Sequence, residues 1–147
     1  MSDPKDRNKE IIEEFRANSG QVGGFFSERP LLLLHTTGAK SGLPRLNPLI
    51  YMADGDRYII IASKGGAPTH PDWYYNLVAN PQVSIEVGTQ LVEATAAVAE
   101  EPERSQLYEK MAAQHTFFAE YARKVSRTIP VIILTPTAAS KNPLLKQ

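Results

Sequence analysis

Apolar residues fall along the chain in short runs separated by turns rich in glycine, proline and aspartate. Six runs have the length and composition of strands, at 31–36, 46–52, 58–63, 83–87, 90–98 and 131–135. Ala53-Asp54-Gly55-Asp56 and Gly88-Thr89 are too short for helical crossovers, and their glycines supply the positive backbone angles of hairpin turns. The pattern predicts a mainly antiparallel sheet, curled into a small barrel so that its edges do not stay unpaired.

Two segments in the first half of the chain have the pattern of helices. Apolar residues lie on one face of a charged segment that begins near Pro4, which predicts a helix docked on the core through Ile11, Ile12 and Phe15. Pro71 favours the first turn of a short helix near 71–79, and Asn80-Pro81 ends it.

A further helical stretch is predicted near 102–124, where Leu107, Tyr108 and Met111 keep helical spacing. Gln114 to Phe117 is the point at which this stretch breaks in two. The fold class is therefore α+β, with about six mainly antiparallel strands. We expect one domain over residues 1–137 and a flexible polar tail over 138–147.

Composition and charge restrict the classes of protein to which the chain can belong. A chain of 147 residues with 42% hydrophobic content has the size of one globular domain, and no apolar run is long enough to span a membrane. Sixteen basic residues balance sixteen acidic ones, which disfavours a nucleic-acid binder and makes any anion site local. The charged N-terminus is unlike a signal peptide, so we expect a cytoplasmic protein with at most peripheral membrane contact.

Cysteine is absent, which excludes disulfides, thiolate nucleophiles and cysteine-ligated metals. No Gly-x-Ser-x-Gly elbow is present, and His35, His70 and His115 lack the spacing of a helical zinc site. We therefore expect no metal site. The chemistry must come from a borrowed cofactor or from oxygen and nitrogen groups.

The most informative segment is the polar loop Gly38-Ala39-Lys40-Ser41-Gly42-Leu43-Pro44-Arg45 between two apolar runs. Its glycines allow backbone amides to converge, while lysine, arginine and serine side chains add donors suited to a phosphate. The spacing does not fit the nucleotide-triphosphate loop. A solvated basic hairpin explains the composition equally well.

Two other segments support a ligand site. Ala62-Ser63-Lys64-Gly65-Gly66 is a second Ser-Lys loop with glycines, at the end of the most apolar strand. The segment His70-Pro71-Asp72-Trp73-Tyr74-Tyr75-Asn76-Leu77 begins a helix whose aromatic residues suit one wall of a planar ring. An alternative is that Trp73 and Leu77 only attach this helix to the barrel.

Five motifs in one order resemble the deazaflavin-dependent nitroreductase family. They are Thr36-Thr37-Gly38-Ala39-Lys40-Ser41-Gly42 with Pro44-Arg45 and Asn47-Pro48-Leu49, Ala62-Ser63-Lys64-Gly65-Gly66, Pro71-Asp72-Trp73-Tyr74 with Asn76-Leu77, Ala79-Asn80-Pro81, and Arg127-Thr128-Ile129-Pro130-Val131. The resemblance covers residues 31–136. It implies a split β-barrel related to the flavin-mononucleotide-binding barrels, and an actinobacterial enzyme that uses the 8-hydroxy-5-deazaflavin coenzyme F-420.

The resemblance also implies where the coenzyme binds. Its phosphate and polyglutamate tail would contact Ala39, Lys40, Ser41 and Arg45, with Leu46 and Asn47 beside them. The deazaflavin ring and ribityl chain would run along Ile61, Ala62, Ser63 and Lys64. The other side would be closed by Asp72, Trp73, Tyr74, Tyr75 and Asn76. Residues 1–20 and 117–124 would flank a pocket for the hydride acceptor.

The acceptor side departs from the family pattern at two positions. Members that reduce bicyclic nitroimidazoles tend to have a tyrosine directly after Asn-Pro-Leu, but Ile50 stands there and Tyr51 follows, which turns the phenol to the opposite face of a strand. Phe118 stands where a tyrosine is common, and Tyr121 remains as a proton donor or substrate contact. Ile50, Phe118 and Tyr121 are thus the predicted substrate pocket.

The implied activity is hydride transfer from reduced F-420 to a quinone, enone or nitro compound, by a monomer or homodimer. One alternative is a split barrel that uses flavin mononucleotide, because a phosphate site and an aromatic wall serve either ring. Another is a module that binds the coenzyme or an acidic lipid without turnover.

Overall fold

The computed structural model describes residues 4–27 and 29–143. The strands are β1 (Leu31–Thr37), β2 (Pro44–Ile50), β3 (Met52–Asp54), β4 (Arg57–Ile61), β5 (Gln82–Val87), β6 (Gln90–Val98) and β7 (Val131–Pro143). The helices are α1 (Pro4–Ala17), α2 (Asp72–Ala79), α3 (Glu103–Gln114) and α4 (Phe117–Lys124). Short 3-10 turns lie at Gly24–Phe26 and Lys64–Gly66. None of the helices described is long and apolar enough to cross a membrane.

The strands form one antiparallel sheet in the order β2-β1-β5-β6-β7-β4-β3. The two edge strands, β2 and β3, are consecutive in the chain and are separated only by Tyr51. Because one continuous segment supplies both edges, the sheet has to curl until they approach each other. The predicted α+β fold with an antiparallel, closing sheet is confirmed.

All six predicted runs contain strands, but the second one divides. The strand ends at Ile50 and restarts at Met52, because the Tyr51 N–H donates to the Pro30 carbonyl at 3.1 Å. The sheet therefore has seven strands. The predicted hairpin turns at 53–56 and 88–89 both join paired strands.

The last strand is longer than the sequence indicates. We expected a strand at 131–135 and a flexible tail from 138, but β7 continues to Pro143. After an irregularity opposite Glu93, residues 141–143 pair with residues 90–92 of β6. The structure thus places 138–143 in a strand, and residues 144–147 lie outside the described part of the chain.

The helices agree with the predicted pattern. In α1, Phe15 is buried against Val22, Leu31 and Leu33, so the helix covers the outer face of β1. Helix α2 ends at Ala79, as the following Asn80-Pro81 predicts. The stretch after Pro102 breaks into α3 and α4 within the expected interval.

The core lies in two main layers. The barrel interior is filled by aliphatic residues from β1, β4, β5, β6 and β7, closed at one end by α2. A second cluster packs α3 and α4 on the outside of β4 and β7, through Leu107, Met111 and Phe118. Burial of these apolar surfaces is the main force that fixes α4 beside the end of β4.

Candidate functional site

An open pocket of about 150 Å³ lies between the end of β4, the end of β2 and helix α4. It is lined by Phe26, Pro48, Leu49, Ile50, Ile61, Ser63, Gly65, Phe117, Phe118 and Tyr121. Eight of these ten residues have apolar or aromatic side chains, which suits a flat organic ring. The volume is below the roughly 300–1,000 Å³ of whole-ligand sites, so the pocket encloses only part of what binds there.

The pocket brings together five residues that the sequence analysis assigned to two ligands. Ile61 and Ser63 were expected on the coenzyme side, and Ile50, Phe118 and Tyr121 on the substrate side. They meet because β4 ends where α4 packs against the 3-10 turn Lys64–Gly66. A Cβ at Gly66 would lie 3.1 Å from Cδ1 of Tyr121, so glycine is what permits this close approach.

The loop after β4 has an unusual backbone. Ser63 is right-handed, with φ −80° and ψ −31°, whereas Lys64 and Gly65 are left-handed, with φ of 49° and 64°. A right-handed residue followed by left-handed ones turns successive amide N–H groups toward one point, which is an anion-binding arrangement. Lys64 is one of two non-glycine residues with positive φ in the described ranges.

Arg127 fixes this loop from the other side. Its guanidinium donates to the carbonyl oxygens of Ala62 at 3.3 Å, Ser63 at 2.9 Å and Ala67 at 3.1 Å. It also lies 2.7 Å from Nδ1 of His70. Since arginine only donates, His70 Nδ1 is the acceptor and the ring is neutral. Burial, together with the nearby Arg127 charge, lowers the pKa of His70.

The basic loop between β1 and β2 is a tight turn. The Gly38 N–H donates to the Leu43 carbonyl at 2.8 Å, and the Ser41 hydroxyl accepts the Leu43 N–H at 3.1 Å. Gly42 has φ of 70°, the left-handed conformation that glycine adopts without strain. Ser41 is therefore partly committed to the turn, which leaves Lys40 and Arg45 as the main groups for an anion.

Lys40 and Arg45 are exposed and have no ion-pair partner in the part of the chain that the structure describes. Arg45 and Asn47 point to the same side of β2, because alternate residues of a strand share a face. Ile50 lies five residues beyond Arg45, or roughly 16 Å along an extended strand. The odd spacing puts Ile50 on the face of β2 opposite Arg45, whereas Leu49, which also lines the pocket, shares the face of Arg45. The basic loop and the ring pocket thus lie at the two ends of β2.

Helix α2 supports the basic loop through Asn76. Its Oδ1 accepts the Ala39 N–H at 2.9 Å, and its Nδ2 donates to Thr36 Oγ1 at 3.3 Å. Asn76 is buried, so its side-chain amide is engaged in these two hydrogen bonds and keeps the basic loop in position. Asn76 therefore supports the basic loop from inside the protein and does not lie on the surface of the site.

The aromatic residues of α2 do not all face the same way. Trp73 is 5% exposed and packs with Leu77 in the barrel interior, so these two residues attach the helix to the core. Tyr74 is partly buried and Tyr75 is 49% exposed, and both lie beside His70. The indole is therefore not part of an exposed wall. Asp72 and Tyr75 are the groups that face outward, and Tyr74 packs partly against the core.

Ile50 and Tyr51 lie on opposite sides, as their alternation predicts. Ile50 lines the pocket, whereas Tyr51 packs on the barrel interior and against Tyr58, with ring centroids 5.5 Å apart. Burial raises the pKa of Tyr51. The phenol that follows Asn-Pro-Leu in nitroimidazole-reducing proteins therefore has no counterpart in this pocket.

The predicted N-terminal contribution to the pocket comes from a different segment. Helix α1 packs on β1 through Phe15, and the lining residue from this region is Phe26 in the turn that follows. Sequence reasoning also missed Leu49 and the role of Arg127, whereas Phe117 lies in the segment 117–124 that was expected to flank the pocket. The motif around Arg127 was visible in the sequence, but its partners lie more than 55 residues away.

In the described ranges, no three metal-ligating side chains come together. The site therefore consists of an apolar ring pocket, an amide-rich loop and a basic loop on one split barrel. These features define a class of protein, the barrels whose site suits a ligand with a planar ring and an anionic group.

The comparisons with known proteins identify the family within this class. The model of the "F420H(2)-dependent quinone reductase" family matches residues 7–136. A protein of that name from Mycobacterium tuberculosis is 42% identical over 125 residues, which cover 82% of this chain and 84% of the relative. The chain therefore belongs to this family, and its resemblance to the deazaflavin-dependent enzymes is confirmed.

Solved structures agree with this assignment. A structure described as an F420-H2 dependent reductase is 42% identical, with a TM-score of 0.67, and the match covers 72% of this chain and 94% of that one. A second, described as a domain-swapped dimer, is 38% identical with a TM-score of 0.69, over 90% of this chain and 99% of the other. The split-barrel fold is thus confirmed, and so is the enzyme class, an oxidoreductase of the F-420-dependent kind.

Proposed function

We propose that this protein transfers a hydride from reduced coenzyme F-420 to a quinone. The observation that carries the proposal is that an apolar ring pocket and a basic loop lie at the two ends of β2. An elongated coenzyme with a ring at one end and an anionic tail at the other matches this layout. The family to which the chain belongs is named for the same reaction.

The residues present fit the coenzyme. Lys40 and Arg45 offer two cations that the described chain leaves unpaired, and charge-assisted hydrogen bonds to phosphate or carboxylate are strong. The amides of Ser63, Lys64 and Gly65 converge at the pocket and suit ring carbonyl oxygens. Ile61 would contact the ring, whereas the side chain of Ala62 is fully buried in the barrel interior. Tyr74, Tyr75 and Asp72 would close the outer side.

When bound, the reduced coenzyme supplies the hydride. The residues of the chain orient the reactants, exclude water and donate a proton. Phe26, Phe117 and Phe118 form an aromatic wall that excludes water from the acceptor. Reduction of a quinone to a hydroquinone takes up one hydride and one proton. Tyr121 lines the pocket and makes no hydrogen bond within the described residues, so its hydroxyl is available to donate to the acceptor oxygen.

The pocket favours a quinone over a nitro compound. A quinone is planar and apolar, with two carbonyl oxygens at its rim, and so matches an aromatic wall with one hydroxyl. Ile50 offers no hydrogen bond where nitroimidazole-reducing proteins tend to have a phenol.

The proposal is tested by following oxidation of reduced F-420 with quinones, enones and nitroaromatic compounds in parallel. We expect turnover with quinones and much slower turnover with the others. Lys40→Ala and Arg45→Ala should each weaken coenzyme binding about tenfold, the value of one charge-assisted contact, whereas Lys9→Ala on exposed α1 should not. Absence of coenzyme binding by the wild type would overturn the proposal.

The same experiment separates the alternatives. A yellow protein with a flavin spectrum as purified would favour flavin mononucleotide as the cofactor. Binding of F-420 without its reoxidation by any acceptor would favour a carrier module.

We further propose a homodimer, on the evidence of the 38% identical domain-swapped structure. Light scattering during size-exclusion chromatography measures the mass directly.

A further inference from the structure

The contacts of Arg127 are concentrated on one short stretch of backbone. Two of its three carbonyl partners, Ala62 and Ser63, are consecutive, at 3.3 and 2.9 Å. The carbonyl of Ala62 belongs to the same peptide group as the N–H of Ser63. The carbonyl of Ser63 likewise shares its peptide group with the N–H of Lys64.

A trans peptide points its carbonyl oxygen and its N–H in opposite directions. Because Arg127 holds both carbonyls on one side of the loop, the N–H groups of Ser63 and Lys64 face the other side. Ser63 and Gly65 line the pocket, so the pocket is on that side. Within the described chain the N–H groups of Ser63, Lys64 and Gly65 have no acceptor, although Ser63 is only 7% exposed.

The charge of Arg127 is not neutralised. The guanidinium has no carboxylate partner among the described residues, and its remaining contact is the neutral His70 ring. Hydrogen bonds that share a peptide group polarise one another, so a cation on the carbonyls strengthens the N–H donors behind them. The positive charge of Arg127 thereby polarises the peptide groups that join residues 62–63 and 63–64, and strengthens the N–H donors that face the pocket.

We propose that Arg127 is the positioning residue for an amide site formed by Ser63, Lys64 and Gly65. This site receives an oxygen atom that carries or gains negative charge when the pocket is filled. Fixed donors of this kind stabilise developing charge without reorganisation during reaction. The inference rests on the proposed function and adds to it the origin of the electropositive end of the ring pocket.

The oxygen has two possible sources, a carbonyl of the coenzyme ring or a carbonyl of the acceptor. The chemistry of recognition is the same in both cases. If the oxygen belongs to the coenzyme, loss of Arg127 raises the coenzyme Kd. If it belongs to the acceptor, the coenzyme Kd is unchanged, while kcat with a soluble quinone falls.

The test compares Arg127→Gln and Arg127→Lys with Arg123→Gln as a matched control on the exposed face of α4. We expect Arg127→Gln to change either Kd or kcat about tenfold, the effect of one charge-assisted hydrogen bond. Arg127→Lys keeps the charge but loses the planar guanidinium with its several donors, so its Kd or kcat should lie between the values of the wild type and Arg127→Gln. Arg123→Gln should match the wild type.

Nuclear magnetic resonance of the coenzyme-free protein supplies a readout independent of turnover. In Arg127→Gln the amide resonances of Lys64 and Gly65 should shift, and the pKa of His70 should rise because a nearby cation is gone. If Arg127→Gln does not fold, the same comparison is made with Arg127→Lys. Unchanged amide resonances, or Kd and kcat equal to the control, would overturn the inference. Failure of the wild type to bind F-420 would instead overturn the proposed function.

Discussion

At the residue scale, the site depends on side chains that hold backbone in place. Asn76 and Arg127 bind main-chain groups of the two loops, at 2.9 Å to Ala39 N and 2.9 Å to the Ser63 carbonyl. Gly66 allows the second loop to touch Tyr121. Substitutions at these positions should therefore act on both stability and coenzyme affinity.

Replacing Asn76 with alanine should loosen the basic loop. The buried Thr36 hydroxyl loses its partner, which costs about 1–2 kcal/mol of unfolding free energy. Coenzyme affinity should fall as well, because Ala39 is no longer held. Chemical denaturation and coenzyme titration measure the two effects. Asn80→Ala is the control, since Asn80 is exposed and makes only a 3.4 Å contact to Thr37; equal losses in both variants would refute the role of Asn76.

Gly66→Ala tests how helix α4 packs against the second loop, and Gly42→Ala is its control. Both glycines have positive φ, of 83° and 70°, so each substitution costs roughly 1–2 kcal/mol in backbone strain. Only at Gly66 would the new Cβ press on Tyr121 and Lys124, which adds about 1–3 kcal/mol of overpacking. Thermal unfolding should show the larger loss for Gly66→Ala. A larger loss for Gly42→Ala would contradict this packing of α4.

At the scale of elements, helix α1 is tied to the barrel by a buried carboxylate. Glu86 on β5 is 2% exposed and accepts two hydrogen bonds from Arg16, at 3.1 and 2.6 Å. Its Oε2 also lies 2.6 Å from Nε2 of His35 on β1. Burial alone raises the pKa of Glu86, but the hydrogen bonds from Arg16 and His35 outweigh it, so the pKa is lowered.

The lowered pKa gives the stability a definite pH dependence. A carboxyl whose pKa is lower in the folded state stabilises the fold fully above its unfolded pKa of about 4.5, and this contribution is lost as the pH falls through the lower, folded pKa. Arg16→Met should remove about 1 kcal/mol near pH 7, a modest value because half of the Arg16 side chain is exposed. Urea unfolding over a series of pH values from 7 downward should show the stabilities of the variant and the wild type converging as the pH falls through the folded pKa of Glu86; a constant difference over the whole series would contradict the proposed coupling.

At the scale of the whole molecule, the charges cancel. Sixteen basic and sixteen acidic residues leave no long-range field to attract an anionic coenzyme. The attraction for the anionic tail has to come from local cations, and Lys40 and Arg45 of the basic loop are exposed and therefore screened by salt.

Coenzyme affinity should consequently depend on ionic strength. Raising salt from about 0.1 M to about 1 M shortens the Debye length from about 10 Å to about 3 Å, so the coenzyme Kd should rise several-fold. A coenzyme fragment that lacks the anionic tail should show little change over the same range. Fluorescence titration measures both, and equal salt sensitivity would place the anion contacts away from the basic loop.

The sequence by itself determined the local elements and the chemistry of the two loops. Strands, hairpin turns and helix ends depend largely on residues close together in the chain, so alternation, Asp-Gly and Asn80-Pro81 were sufficient to predict most of them. The break at Tyr51 and the extension of β7 to Pro143 depend on partners farther along the chain. The lysine, arginine and glycines of the basic loop were recognisable for the same reason. The motifs then indicated the family, which the comparisons confirmed.

Only the tertiary structure decided how these elements form a site. The strand order joins β2 and β3 as the two edges of one sheet, and packing of α4 places Phe118 and Tyr121 opposite Ile50. Trp73 turned into the core, and Arg127 reached carbonyls more than 55 residues away. Such contacts follow from the burial of distant apolar surfaces against one another, which no local pattern records.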